Sequence, residues 1–222
     1  MFNTACHPER SEGSVHAPRG RILRCAQNDK LQKSTESSLQ IVTEITDAKL
    51  IGDFRNGSRD AAFTALVEKY QKRLYFHIRR MVIDHDDAND VLQNTFIKVW
   101  NNLENFKEQS QLYTWLYRIA TNECLTFLEQ LKRRKAASLE SLEDALTDRL
   151  SHDKHFTGNE IEMKLQRAIL SLPEKQRVVF NLRYYDEMPY EEMSAVLRTS
   201  VGALKASYHH AAKKVEDHLL NR

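Results

Sequence analysis

From residue 47 onward the apolar positions recur at spacings of three and four, which predicts a series of amphipathic helices. Phe63, Leu66, Val67, Tyr70, Leu74, Ile78 and Met81 share one helical stripe, preceded by Ser58 and Asp60 as cap candidates. A second helix is expected to open at the acidic cluster Asp84, Asp86 and Asp87, where carboxylates meet the positive end of a helix dipole, and to bury Val91, Leu92, Phe96, Val99 and Trp100. Its opposite face carries Asn89, Asp90, Gln93, Asn94 and Ile97. After a polar loop, Glu104 to Ser110, a third helix runs from about Gln111 to Leu131 with Leu112, Trp115, Leu116, Ile119, Ala120, Phe127 and Leu128 turned inward. It ends in the basic run Lys132-Arg133-Arg134-Lys135, which suits the negative end of the dipole.

The apolar spacing weakens over residues 136–158, where Ser138, Ser141, Ser151, Gly158 and scattered acids fit a flexible linker. A second helical block begins near Asn159. Leu165, Ile169 and Leu172 close one helix, Pro173 suits the start of the next, and Val178, Val179, Leu182 and Tyr185 follow before Met188-Pro189 breaks the chain. Two more helices, Tyr190 to Leu197 and Val201 to about Leu220, are joined by Arg198-Thr199-Ser200, with Ser200 as cap. A short helix, a three-residue turn and a longer helix have the dimensions of a helix-turn-helix. In the longer one Val201, Leu204, Tyr208, Ala211, Val215 and Leu219 form the core stripe, while Gly202, Lys205, Ala206, His209 and Lys213 face the other way, with His210 beside them. Small residues allow close approach to DNA, and lysine and histidine can donate to phosphates or base acceptors. An ordinary solvated helix face would carry the same spacing.

Composition narrows the class. With 6 Gly and 4 Pro in 222 residues, a turn-dense β fold and a glycine-rich phosphate loop are disfavoured. Apolar runs such as Val178-Val179-Phe180 fall far short of the roughly 18 residues that span a bilayer, so no membrane insertion is expected. A net charge of +2 requires any nucleic-acid surface to be local. The 3 cysteines, Cys6, Cys25 and Cys124, have no disulfide-framework spacing, and a reducing cytoplasm is the expected compartment. Cys124 reads as a small, semi-buried helix residue. No Walker loop, Gly-x-Ser-x-Gly, His-Glu-x-x-His or Cys-x-x-Cys is present, and the carboxylate pairs sit at helix starts; no catalysis, no cofactor and no metal are expected. Residues 1–40 hold Pro8, Pro18, Gly13 and Gly20 with no helical or strand period and are expected to be a disordered tail. Cys6, His7, His16 and Cys25 fit no zinc-knuckle spacing. The stretches His7 to Gly13 and Arg21 to Asp29 resemble the translated product of a repetitive genomic element, so a mis-assigned start is expected.

Three motifs then converge. Asp86-Asp87-Ala88-Asn89-Asp90-Val91-Leu92-Gln93-Asn94-Thr95-Phe96-Ile97-Lys98-Val99-Trp100 resembles region 2.2 of the extracytoplasmic-function sigma factors of bacterial RNA polymerase. Thr114-Trp115-Leu116-Tyr117-Arg118-Ile119-Ala120-Thr121-Asn122 is similar to the part that reads and melts the minus-ten element. Leu172 to Phe180, Tyr190-Glu191-Glu192-Met193-Ser194 and Ser200-Val201-Gly202-Ala203-Leu204-Lys205 resemble region 4, which holds the minus-thirty-five element. The likeness covers about residues 47–220.

The resemblance implies an all-α chain of two small helical domains: a region 2 bundle at 47–135 and a region 4 helix-turn-helix domain at 159–222, joined by the linker at 136–158. It implies a chain, monomeric when free, that binds core RNA polymerase through the clamp helices of the largest catalytic subunit and directs promoter recognition and melting. Asp90, Gln93, Asn94 and Ile97 are the expected core contacts, because a carboxylate and amides beside an exposed apolar residue suit an arginine-rich coiled coil. Asn94 departs from the family, which commonly carries glutamate there, and this removes one expected charge pair. For the minus-ten element the resemblance points to Tyr113, Tyr117, Arg118, Asn122 and Thr126, with loop 107–110 at the pocket for a flipped base. Amides and hydroxyls can bond an unstacked base edge and tyrosines can stack on it. Arg118 would clasp a phosphate or pair along its helix with Asn122 or Glu123, and Lys132 to Lys135 would meet the promoter backbone. For the minus-thirty-five element it points to Arg183, Arg198, Lys205, His209 and His210. Many relatives carry arginines at several of these places, so weak binding to isolated promoter DNA is expected. An anti-sigma partner is also implied. The alternatives are a stand-alone helix-turn-helix DNA-binding transcriptional regulator, which would bind DNA without polymerase, and an interaction module with no DNA contact.

Overall fold

A computed structural model describes residues 46–136, 142–152 and 160–220; the expectations for residues 1–40 lie outside the described residues. The fold is all-α, with two helical domains, and no strand occurs among the described residues. The first domain contains α1 (Asp47–Arg55), α2 (Arg59–Val82), α3 (His85–Asn102) and α4 (Leu112–Ala136), with one 3₁₀ turn (Leu103–Asn105) after α3. Helix α5 (Leu142–His152) connects it to α6 (Glu160–Leu170), α7 (Glu174–Tyr184), α8 (Tyr190–Leu197) and α9 (Val201–Leu220).

Local chemistry starts and stops these helices. Asp84 caps α3, its carboxylate accepting from the backbone N–H groups of Asp86 at 2.9 Å and Asp87 at 3.0 Å. Ser58 stands at the N-cap of α2 without a side-chain capping bond. Pro173 and Pro189 occupy the N-cap positions of α7 and α8, where the absence of an N–H costs no helical hydrogen bond. Arg198 ends α8 in the left-handed region, at φ 51°, and the Ala203 N–H donates to the Ser200 hydroxyl at 3.3 Å to open α9.

Helix α1, 9 residues long, is too short to stand out by apolar spacing. It buries Leu50, Ile51 and Phe54 against α2, and the Phe54 ring meets Trp100 edge-on at 5.3 Å. The Tyr70 hydroxyl donates to the Asp47 carboxylate at 2.7 Å and the Lys69 ammonium reaches it at 2.8 Å. Arg55 fastens the loop between the 3₁₀ turn and α4, donating to the Phe106 carbonyl and pairing with Glu108 at 2.7 Å.

Three sequence expectations need correction; on α9, Leu219, expected in the core stripe, is exposed. Residues 136–158, expected to be only a flexible linker, include α5, which buries Ala145, Leu146 and Leu150 and packs on α4 and α6; Arg149 on α5 pairs with Asp87 at the start of α3. Four apolar residues in an otherwise polar 11-residue helix, three of them buried, form a stripe too thin for composition to reveal. On α4, Trp115, Ile119 and Phe127 are only half-buried, whereas Tyr117, Thr121, Cys124 and Leu131 join Leu112, Leu116, Ala120 and Leu128 inside. The helix is contacted by α2, α3, α5 and α8, so its buried arc is rotated from the stripe that aromatic and aliphatic spacing suggests.

Helices α6, α7 and α9 share a small core of Ala168, Ile169, Leu172, Phe180, Ala211 and Val215. The larger core is continuous across both domains: Leu74, Ile78 and Met81 of α2 and Leu116 and Ala120 of α4 belong to one cluster with Val178 and Leu182 of α7 and Met193 and Val196 of α8. Side chains of this size each contribute roughly 1.5–3 kcal/mol when fully buried. Burial also acts on the tyrosines, pushing Tyr70, Tyr113 and Tyr117 well above the usual phenol range and Tyr185 up to about 12.

Candidate nucleic-acid and partner interfaces

On α3 the apolar arc Ala88, Val91, Thr95 and Val99 is buried, with the Thr95 hydroxyl turned back on the Val91 carbonyl at 2.8 Å. Among the described residues nothing covers the other side of the helix. Asn89, Asp90, Gln93, Asn94 and Ile97 are all exposed, and Ile97 retains 52% of its accessible surface. A carboxylate, three amides and a bare branched aliphatic on one helical face can bind a charged helical partner while burying a small apolar patch.

The residues assigned to the minus-ten element divide between two sides of α4. Asn122 and Thr126 are exposed, the Thr126 hydroxyl donating to the Asn122 carbonyl at 2.9 Å. Beside Asn122 a pocket of about 260 Å³ is lined by Lys98, Asn102, Trp115, Ile119 and Glu123. Trp115 forms one of its walls and packs on Phe106 at 5.0 Å between ring centroids; it is half-buried, whereas apolar spacing places it in the core. Lys98 and Glu123 form an ion pair across α3 and α4. Loop residues Lys107, Glu108 and Gln109 are exposed at the near end of α4, and Glu108 has φ 55°. An apolar wall with amide and charged groups at its rim can accept a planar polar ring.

Tyr113 and Tyr117 lie on the other side, and Arg118, one turn before Asn122, reaches toward α8. Tyr117 is buried and Tyr113 half-buried, with ring centroids 4.7 Å apart. The Arg118 guanidinium donates to the Ala195 carbonyl of α8 at 2.6 Å rather than pairing with Asn122 or Glu123 along α4. Tyr117 also donates to Asp186, at 3.4 Å. Sequence spacing contained no sign that α8 would cover this side. Lys132, Arg133 and Arg134 are exposed, with Arg133 paired to Glu129 at 2.5 Å.

In the last two helices Lys205, His209 and His210 are exposed on α9, and Arg198 is exposed in the turn before it. Helix α9 is seated by Leu204, Ala211 and Val215, which leaves the Lys205 and His209 side to solvent. Arg183 is placed differently: it is half-buried, donates to the Met188 carbonyl at 3.1 Å and lies 5.1 Å from the Tyr190 ring centroid. Its bonds brace the α7–α8 turn. Lys205 also approaches the Tyr190 ring, at 5.7 Å, so Tyr190 links the turn to the exposed face. Among the described residues no group of three or more His, Cys, Asp or Glu could hold a metal ion, and no helix is long and apolar enough to cross a membrane.

Comparisons with known proteins bear on both domains. The sigma-70 region 2 family matches residues 66–134 and the sigma-70 region 4 family matches residues 162–215. The chain is 33% identical over 184 residues to the RNA polymerase sigma-H factor of Pseudomonas aeruginosa, covering 79% of this chain and 95% of that relative. It is 31% identical over 182 residues to the ECF RNA polymerase sigma-E factor of Escherichia coli K12, covering 78% and 94%. Among solved structures, CnrH in complex with the cytosolic domain of CnrY aligns with a TM-score of 0.56 at 27% identity, over 77% of this chain and 94% of that one. The sigma factor RpoE from Bartonella quintana, in complex with the anti-sigma factor NepR, aligns with a TM-score of 0.55 at 20% identity, over 72% and 98%, and supports the fold alone.

Proposed function

The chain belongs to the extracytoplasmic-function sigma factors of the sigma-70 family, and as such directs promoter recognition and transcription initiation by core RNA polymerase; from that premise we propose which of its surfaces perform each step. The exposed side of α3, with Asp90, Gln93, Asn94 and Ile97, binds the clamp helices of the largest catalytic subunit. The single observation that carries this assignment is the clean division of α3 into a buried apolar arc and an exposed arc of amides, carboxylate and Ile97. Its carboxylate and amides would bond to cationic side chains while Ile97 loses its exposed surface.

Promoter contacts fall to two further surfaces. Asn122, Thr126 and the Trp115-walled pocket would take an unstacked minus-ten base, the amide and hydroxyl reading its edge and the indole supplying a stacking wall. Helix α9 would hold the minus-thirty-five element, with Lys205, His209 and His210 toward the groove and Arg198 at the backbone. One lysine and two histidines supply little fixed charge, so affinity for isolated promoter DNA is weak and most of the binding free energy is delivered through polymerase. Lys132 to Arg134 would add backbone contacts beyond α4. A protein partner of the anti-sigma class is proposed as the regulator; CnrH, to which the chain is similar, is itself bound to a protein partner, the cytosolic domain of CnrY.

Run-off transcription with purified core polymerase and a promoter library tests this reading. Discrete start sites that require the chain are expected. Replacing Lys205 and His209 together with Ala should spare core binding and reduce promoter occupancy, with the slope of log affinity against log salt smaller by about 1 for the lost phosphate contact. Unchanged occupancy would remove α9 as the reading surface.

A further inference from the structure

The two domains are held together by a seam with its own polar clasp. Asp186, in the turn after α7, is the shared acceptor: His77 Nδ1 lies 3.0 Å from one carboxylate oxygen, Arg80 donates to the other at 3.3 Å, and the Tyr117 hydroxyl reaches that same oxygen at 3.4 Å. His77 is fully buried on α2, and its Nε2 is 3.0 Å from the Thr121 hydroxyl on α4. A carboxylate only accepts, so Nδ1 carries a proton, and in the neutral ring Nε2 accepts from Thr121. Arg80 also stacks on Tyr185, with its guanidinium 4.2 Å from the ring centroid. At the other end of the seam Arg118 donates to the Ala195 carbonyl.

This clasp covers part of the side of α4 assigned to DNA. Tyr117 is buried, Arg118 is committed to α8, and Tyr113 feels the Glu192 and Asp186 carboxylates across a cleft of about 750 Å³ that Arg73 and Arg80 also line. The donors gathered at Asp186, an arginine, an imidazole and a phenol, are ones that would also bond a phosphate oxygen. Two side-chain atoms in the seam, Arg118 Nε and Asn181 Oδ1, are buried without a hydrogen-bond partner, and the Asn181 amide spends a donor on the Met81 sulfur at 3.4 Å. Groups of this kind regain full hydrogen bonding when water enters, which offsets part of the apolar burial that holds the seam closed.

We propose that the chain inhibits itself: docking of α7 and α8 on α2 and α4, clasped at Asp186, closes the Tyr113–Tyr117–Arg118 side of α4 to single-stranded DNA until the seam opens. The inference rests on the minus-ten reading of α4. Its regulatory consequence is that DNA must select the open state, so apparent affinity scales with the open fraction.

The test uses the full chain carrying dyes on Gln71→Cys and Glu216→Cys, with Cys6 and Cys25 replaced by Ser. Single-molecule energy transfer reports the separation of the domains, and a minus-ten non-template oligonucleotide reports binding. The unmodified seam should give mainly the high-transfer state. Asp186→Ala should shift the population to low transfer and bind the oligonucleotide about tenfold more tightly, a change of about 1.4 kcal/mol. Asp186→Asn keeps the size and an acceptor oxygen and guards against misfolding; it should move both readouts the same way by a smaller step, with unchanged helical circular dichroism. A wild-type chain found only in the low-transfer state, or an Asp186 variant that opens without tighter DNA binding, would overturn the proposal. Adding Asn122→Ala to Asp186→Ala separates the premise from the inference: unchanged oligonucleotide binding in the double variant refutes the minus-ten assignment, while the transfer distribution still decides whether the clasp closes the chain.

Discussion

Leu146→Ala distinguishes a packed connector from a loose one. Leu146 is fully buried on α5, in the same apolar cluster as Leu128 and Leu131 of α4, and Leu150 lies one turn away with 2% of its surface exposed. Truncating a buried leucine removes the transfer free energy of its lost methyl groups and leaves a cavity, for a total of roughly 2–5 kcal/mol. With a urea dependence of roughly 2 kcal/mol per molar, a loss of roughly 3 kcal/mol lowers the unfolding midpoint by roughly 1.5 M. Glu143→Ala, one helical turn earlier and exposed, is the control and should stay within about 0.5 kcal/mol of the parent. Urea titration followed by far-ultraviolet circular dichroism measures both, and hydrogen exchange of the α5 amides should accelerate in the leucine variant. A Leu146→Ala midpoint equal to that of Glu143→Ala would refute the packing of α5 and return residues 142–152 to a solvated linker.

Other consequences are as direct. Asp90→Lys should abolish co-elution with core polymerase and leave the thermal midpoint nearly unchanged, because the residue is exposed; normal assembly would remove the α3 face as the contact. Asp84→Ala deletes the two capping hydrogen bonds that α3 makes to Asp84 Oδ1 and should cost about 1 kcal/mol, or a fall of roughly 2–4 °C in melting temperature for a chain of this size. At alkaline pH the buried tyrosines set a sign: Tyr185 keeps its proton in the folded state up to about 12 against an ordinary value of 10.0, whereas the unfolded chain releases it earlier. Stability from this source is intact below pH 10 and declines as pH rises toward 12. Titration of tyrosinate absorbance alongside urea unfolding checks this, and a flat stability profile over that interval would contradict the burial of these rings.

Helix identity and the outward face of α3 were legible in the sequence because both follow from short-range order. Spacings of three and four, an aspartate at a helix start, prolines before α7 and α8 and a polar arc broken only by Ile97 report on their own turn of helix and its solvent exposure. The same holds for the turn at 198–200 and the exposed residues of α9. The connector α5, the arc of α4 that is buried and the clasp at Asp186 depend on partners on other helices, some of them far along the chain, as in Arg149 with Asp87, Arg118 with Ala195 and His77 with Asp186. Trp115 and Tyr117 show the difference: the tryptophan looked inward by apolar spacing and stands at a pocket wall, while the tyrosine assigned to DNA lies inside. A helix touched from several directions has no single apolar stripe, so which of its sides is closed is settled only when α2, α5 and α8 arrive against it.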